Sequence, residues 1–249
     1  MVQVLNLAIL GLVAVVPSLI YLIWIRNTER FAREPYGRLL RVFAFGASIS
    51  VVIAILAEFV LILLLNQNIE RVYQVLGKNP NLTSVILACV IAPLVEEAAK
   101  GMGVFRVRRF MAEIEDGIIY GAAAGLGFAA TENAIYEYNA YISDGVEAFI
   151  ATAVIRSLSS ALLHASASSV FGLGIARSAL QGRGWFPYYL GAAFMHGIFN
   201  LFASFGVLLE KQLGTAASLI GLLAAFMIAI ISINAVRAKI RRLDKAART

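Results

Sequence analysis

Long runs of apolar residues, separated by short polar segments, dominate the chain. A bilayer core is about 30 Å thick, so a helix that crosses it needs about 20 mostly apolar residues. Seven stretches meet this length, at residues 4–25, 42–65, 82–105, 117–138, 148–176, 187–209 and 215–236. The first stretch lacks the basic start and the small-residue cleavage pattern of a removable signal peptide. The pattern therefore predicts an all-α, polytopic transmembrane helical bundle of about seven spans.

The basic residues are unevenly divided between the two sides of this bundle. One side carries sixteen of the 21 Lys and Arg residues and the opposite side three, while Lys100 and Arg156 lie inside predicted helices. Cytoplasmic loops of membrane proteins carry an excess of Lys and Arg. We therefore predict that the N-terminus lies outside and the C-terminus lies in the cytoplasm.

Composition narrows the class of protein further. Sixty per cent of the 249 residues are hydrophobic and 14% are charged, whereas a soluble domain carries about 25% charged residues. The net charge of +6 does not indicate a nucleic-acid partner, because the basic residues do not form one soluble face. The single cysteine, Cys89, excludes an internal disulfide framework. We predict a single transmembrane domain over 1–249, surrounded by the lipid of a prokaryotic plasma membrane.

Polar residues interrupt the predicted spans at membrane depth. Such residues usually face the bundle interior and mark a functional site. The set consists of Glu58, Glu96, Glu97, Lys100, Glu132, Asn133, Arg156, His164, His196 and Asn200. Helical spacing gives four of the helices a polar stripe, and both histidines of the protein lie on such stripes. We expect the glutamates of the third helix and both histidines to converge on one cavity. Glu132 either joins them or pairs with Arg156 nearer the outer side.

The order of these motifs resembles the PrsW family of intramembrane proteases, within the wider group of CAAX-prenyl-protease-like and bacteriocin-processing membrane proteins. The motifs are E-E-x-x-K at 96–100, D-G-x-x-x-G at 116–121, F-x-x-x-E-N-x-x-Y at 128–136, Arg156, H-x-x-x-S-x-x-x-G at 164–172 and H-x-x-x-N at 196–200. The resemblance covers about residues 90–200 and implies a catalytic core over 82–209. It implies cleavage of a single-pass or membrane-associated protein, which in the namesake case is an anti-sigma factor.

The same resemblance assigns site residues. Glu96 and Glu97 match the glutamate pair that supplies the general base in the CAAX-type relatives, and His196 and Asn200 match the last motif. Glu132 stands where those relatives have a second histidine. His164 is then an additional candidate site residue.

One mechanism for such a site uses a carboxylate alone. A desolvated carboxylate is a stronger base toward water than an exposed one. Neighbouring glutamates point about 100° apart on a helix, so one of them is aimed at the water, and we favour Glu97 slightly over Glu96. His196 and Asn200 would then donate hydrogen bonds to the tetrahedral oxyanion.

The rival mechanism uses a divalent metal such as zinc. Two imidazoles and one carboxylate with an open fourth position form a known catalytic zinc pattern. His164, His196 and Glu97 are the candidate ligands. The chain contains no H-E-x-x-H motif, and the residues leave the two mechanisms open.

Two other function classes are compatible with a polar membrane bundle. A non-catalytic scaffold or chaperone with the same fold would use the polar residues for partner binding or stability. A proton-coupled transporter would use Glu58, Glu132 and the histidines as a relay, and inverted repeats with broken helices would support it. The sequence shows no such repeats, and the combined Glu and His set favours the enzyme.

Overall fold

The computed structural model describes residues 2–76 and 80–246. Secondary structure in these two ranges is helical throughout, which confirms the predicted all-α class. The α-helices are α1 Val2–Arg26, α2 Tyr36–Phe45, α3 Val51–Gln67, α4 Ile69–Leu76, α5 Pro80–Ile86, α6 Ala92–Val107, α7 Ile114–Leu158, α8 Ser160–Gln181, α9 Phe186–Ala203, α10 Phe205–Leu213 and α11 Thr215–Ala246. Single π-helical turns at Gly46–Ser50 and Leu87–Ile91 lead into α3 and α6.

Four helical stretches within the described ranges are long and apolar enough to cross a membrane. They are Ala8–Arg26, Tyr36–Gln67, Ile114–Gln181 and Thr215–Ala246. The third contains 68 residues and joins α7 to α8. The protein is therefore a helical membrane protein, while the count of seven spans and the orientation of the termini stay predictions.

The prediction of one helix over 148–176 is wrong at Ser159, where the structure divides this segment between two helices. The structure continues α7 to Leu158, bends it at Gly145 and begins α8 at Ser160. Gly145 has φ +83°, a left-handed conformation that glycine adopts without a Cβ penalty. Ser159, with φ −121° and ψ −71°, separates the two helices. No proline or glycine marks this break, which lies in the largely polar run Arg156-Ser157-Leu158-Ser159-Ser160.

The tightest helix contact joins α7 to α8 through glycines. A Cβ placed on Gly121 would lie 2.2 Å from the carbonyl oxygen of Ser168, and one on Gly125 would lie 2.2 Å from that of His164. Small residues allow helix backbones to approach this closely in membranes. The contact fixes α8, which carries His164, against α7, which carries Glu132.

Candidate active site

Helix α6 brings its polar residues into the middle of the bundle, where it contacts α3, α7, α8 and α9. Its carbonyl groups are tied to neighbouring elements. Tyr189 Oη donates to Leu94 O at 2.9 Å, and Ser50 Oγ donates to Ala99 O at 3.0 Å. The polar side chains of α6 are almost fully buried in this position, and Glu97 and Lys100 are both 0% exposed.

Lys100 contacts three polar side chains of the buried centre, which consists of Glu96, Glu97, Lys100, Glu132, His164 and His196. Its ammonium nitrogen lies 3.0 Å from Glu96 Oε2, 2.8 Å from Glu97 Oε1 and 2.8 Å from His164 Nδ1. An ammonium group has three protons to donate and no acceptor. His164 Nδ1 must therefore accept, so the ring proton of the neutral imidazole lies on Nε2.

Glu132 accepts a hydrogen bond from that ring N–H and also pairs with Arg156. His164 Nε2 donates to Glu132 Oε2 at 2.8 Å, and Arg156 Nη2 lies 2.9 Å from the same oxygen. Arg156 is held in turn by Asn133 Oδ1 at 2.8 Å and Ser160 Oγ at 3.1 Å. The sequence allowed Glu132 to lie either beside the histidines or beside Arg156. In the structure it contacts both His164 and Arg156.

Glu97 contacts one ring nitrogen of His196, as Glu132 contacts one ring nitrogen of His164. Its Oε1 lies 3.1 Å from His196 Nδ1, and its Oε2 accepts a 2.8 Å hydrogen bond from Ser168 Oγ. With Lys100, this carboxylate has three polar partners. Its contact with Nδ1 fixes the orientation of the His196 ring.

The remaining ring nitrogens of both histidines face Glu96. His164 Nδ1 and His196 Nε2 each lie 4.0 Å from Glu96 Oε2, and the two ring centroids are 4.7 Å apart. One donor atom from each of these three buried residues lies within 4.8 Å of the others. Two atoms 4.0 Å apart can both lie about 2.1 Å from one ion, which is a zinc ligand distance.

This donor set fits a divalent metal in its surroundings as well as its spacing. Histidines that bind metals almost always donate their other ring N–H to a carboxylate, a carbonyl or a water. Here Glu132 and Glu97 accept from the outer nitrogens of His164 and His196. The carboxylate that completes the set is Glu96, whereas the sequence had suggested Glu97. The Lys100 ammonium now contacts His164 Nδ1, so it must leave that atom when an ion binds.

Asn200, which the sequence suggested as an oxyanion donor, makes a contact with the backbone in the structure. Its amide Nδ2 donates to Ala88 O at 2.7 Å, in the π-helical turn that precedes α6. The contact ties α9 to that turn and supports the placing of His196. Conversely, Ser168 contacts Glu97 without having been assigned a role from sequence. Its signal was the four-residue spacing from His164, which puts both on one helix face.

Comparison with known proteins agrees with this picture. The family described as "PrsW family intramembrane metalloprotease" matches residues 34–236. "Protease PrsW" of Clostridioides difficile (strain 630) is 29% identical over 201 residues, which cover 77% of each chain. "Protease PrsW" of Geobacillus kaustophilus (strain HTA426) is 29% identical over 196 residues, covering 75% of this chain and 76% of the relative. The search of solved structures gives no significant match. The chain belongs to the PrsW family of intramembrane proteases.

Proposed function

We propose that this protein is a metal-dependent intramembrane endopeptidase that cleaves a single-pass or membrane-associated protein, such as an anti-sigma-factor-like regulator. The observation that carries the proposal is the paired arrangement of the histidines. Each has its outer nitrogen on a carboxylate and its inner nitrogen toward Glu96. The proposal includes seven spans in a bacterial plasma membrane with the C-terminus in the cytoplasm, which reporter fusions at both termini would test.

Glu96, His164 and His196 would hold the ion. When bound, a divalent metal supplies Lewis acidity that lowers the pKa of water and polarises the scissile carbonyl. Glu132 and Glu97 hold the two imidazoles in the tautomers that present the inner nitrogens. Arg156 pairs with Glu132 at 2.9 Å and compensates its negative charge.

Hydrolysis requires two proton transfers around one addition and one cleavage. The water oxygen bonds to the carbonyl carbon while Glu97 takes a proton from it, and the C–N bond then breaks as the leaving nitrogen receives a proton from Lys100 Nζ. Lys100 Nζ regains a proton from Glu97, which it contacts at 2.8 Å. One hydroxyl and one proton are thereby added across the peptide bond, and both side chains return to their starting states.

Proteolysis is tested on the purified protein in detergent. Wild type and His196→Ala are incubated with a set of single-pass bacterial membrane proteins, and new termini are identified by mass spectrometry. We expect cleavage by wild type alone. Glu147→Gln is the matched control, because Glu147 is exposed on α7. If the wild-type protein is folded but shows no cleavage that depends on His196, the result would support a scaffold instead of an enzyme.

Replacing Glu132 with Gln is expected to weaken zinc binding by about 10- to 100-fold, as loss of an outer-shell carboxylate does in other metal sites. The amide no longer compels His164 to keep its proton on Nε2, and it leaves Arg156 without a counter-charge. Competition with a fluorescent chelator measures the affinity. Glu137→Gln is the control, because Glu137 is a fully buried carboxylate of the same helix. Equal zinc affinities for these two variants would remove Glu132 from the proposed centre.

A cavity beside the centre offers a route for the substrate. It has a volume of about 290 Å³ and lies between α3 and the segment that contains α5 and the start of α6. Its lining includes Glu58, Ile62, Ser84 and Ala88. Ala88 accepts a 2.7 Å hydrogen bond from Asn200, which lies one helical turn after His196, so the cavity lies near the centre. We propose that an extended segment of the substrate enters here.

Ile62→Trp should reduce kcat/KM about 10-fold by filling this cavity, because a misplaced substrate loses orientation at the reacting bond. Zinc affinity should be unchanged, since Ile62 is not one of the proposed ligands and its side chain has no polar atom. Leu56→Trp on the exposed side of α3 is the matched control. A normal kcat/KM for Ile62→Trp would exclude this route.

A further inference from the structure

A second group of carboxylates lies at the arginine-rich end of the bundle, among residues far apart in sequence. Glu29 belongs to the connection between α1 and α2, Glu113 precedes α7, and Asp244 lies near the end of α11. One oxygen from each lies within 4.8 Å of the others. Glu29 is 0% exposed and Asp244 is 3% exposed. None of the three belongs to the centre formed by Glu96 and the histidines.

Glu29 has an unsatisfied oxygen in this group. Its Oε1 is buried and has no hydrogen-bond partner, while its Oε2 accepts from the backbone N–H of Glu34 at 3.3 Å. Asp244 accepts from the backbone N–H of Arg30 at 3.0 Å and of Phe31 at 3.4 Å. Within the described part of the chain, neither Glu29 nor Asp244 forms an ion pair. A buried carboxylate oxygen without a partner carries a desolvation cost that a bound cation would remove.

The local potential also favours a cation. Asp116 Oδ2 accepts from the backbone N–H groups of Ala112 at 2.7 Å and Glu113 at 2.9 Å, so a further carboxylate lies beside Glu113. Glu34 is nearby as well, and its described ion-pair partner is Arg38 at 3.4 Å. Arg33 and Arg26 are also close, and each donates through Nε to a backbone carbonyl, that of Glu29 at 2.8 Å and that of Glu34 at 2.6 Å. Positive charge inserted among these carboxylates would be stabilised.

We infer that Glu29, Glu113 and Asp244 form a binding site for a hard divalent cation, Mg²⁺ or Ca²⁺. Carboxylate oxygens are the ligands that these ions prefer, and the group offers no imidazole or thiolate that would select zinc. The bound ion joins the α1–α2 connection, the start of α7 and the end of α11. It acts as a structural clamp at the end of the bundle, separate from the proposed catalytic metal.

The test is a calorimetric titration of metal-stripped, detergent-purified protein with MgCl₂ and, separately, with CaCl₂. Wild type is expected to bind about one ion per chain with a Kd on the order of 0.1–1 mM, and the tighter of the two ions identifies the ligand. Glu29→Gln and Asp244→Asn should each bind at least about 10-fold more weakly, because each removes a charged ligand. Saturating ion should raise the Tm of wild type more than that of either variant.

His196→Ala is the control that separates the two metal sites, and it should bind Mg²⁺ or Ca²⁺ as wild type does. Size-exclusion profiles in detergent establish that each variant is folded, and the two substitutions lie on different segments, so one folding failure leaves the other informative. Wild-type affinity in both Glu29→Gln and Asp244→Asn would overturn the inference. Absence of wild-type binding of either ion below about 10 mM would overturn it as well.

Discussion

Glu96→Gln is expected to lower the cleavage rate on the order of 10³-fold, the scale of losing a group that acts directly on the transition state. The substitution replaces an anionic oxygen that faces His164 Nδ1 and His196 Nε2, each 4.0 Å away, with a neutral amide. The chain should stay folded, because Lys100 keeps its contacts with Glu97 and His164. Cleavage assays at saturating and at limiting substrate measure the loss in kcat and in kcat/KM.

Glu147→Gln again serves as the isosteric control, with a rate equal to that of wild type. Bound zinc is measured on the same samples, because the account assigns the lost activity to a lost ligand. Glu96→Gln should therefore retain much less zinc than wild type. A variant that cleaves at more than about a tenth of the wild-type rate would show that Glu96 does not hold the catalytic ion.

Gly121→Ala is expected to destabilise the protein by about 3 kcal/mol, at the upper end of overpacking costs. The added Cβ would lie 2.2 Å from Ser168 O and 2.8 Å from the carbon of that carbonyl. The obstruction is backbone, so α7 and α8 must move apart. Cleavage should fall along with the Tm, because a displacement of about 1 Å at a catalytic group costs about 100-fold in rate.

Gly191→Ala provides the matched control in α9. Its added Cβ would have Val170 Cγ1 as nearest neighbour, at an ordinary contact distance of 3.8 Å. We expect this variant to keep its Tm and its activity in thermal unfolding and cleavage assays. If Gly121→Ala behaved in the same way, the close contact of α7 with α8 would not be the element that fixes the site.

Sequence pattern predicts much of the fold, because apolar length and helical spacing are local properties. The turn signal at 33–37 agrees with a helix that ends at Arg26 and another that begins at Tyr36. The break at Ser159 was missed, since no proline or glycine marks it and serines also occur inside membrane helices. Contacts between elements are not local properties, so the positions of α7 and α8 relative to each other required the structure.

The candidate site was predictable in its membership and not in its arrangement. Polar residues at membrane depth identified Glu96, Glu97, Glu132 and the two histidines. Which oxygen faces which nitrogen depends on helix rotation by tens of degrees, which spacing alone does not give. This is why the sequence favoured Glu97 as the ligand, whereas the geometry places Glu96 Oε2 between the two imidazoles.

The relation between Lys100 and the proposed ion follows from the same geometry. Its ammonium compensates the charge of Glu96 and Glu97 in the structure, with Nζ at 3.0 Å and 2.8 Å from their oxygens. Removing one partner of a buried charge pair leaves the other uncompensated and is strongly destabilising. We infer that Lys100 compensates the two carboxylates before the metal binds and donates a proton to the leaving nitrogen afterwards.

Metal dependence is tested by titrating chelator-stripped protein with zinc and measuring the bound ion and the cleavage rate of each sample. We expect the stripped protein to be inactive. In protein that retains His164 and His196, activity should rise in proportion to the amount of zinc bound. Activity should reach its maximum at about one such ion per chain. Full cleavage by protein that holds no zinc or other transition metal would contradict the account and favour catalysis by the glutamates alone.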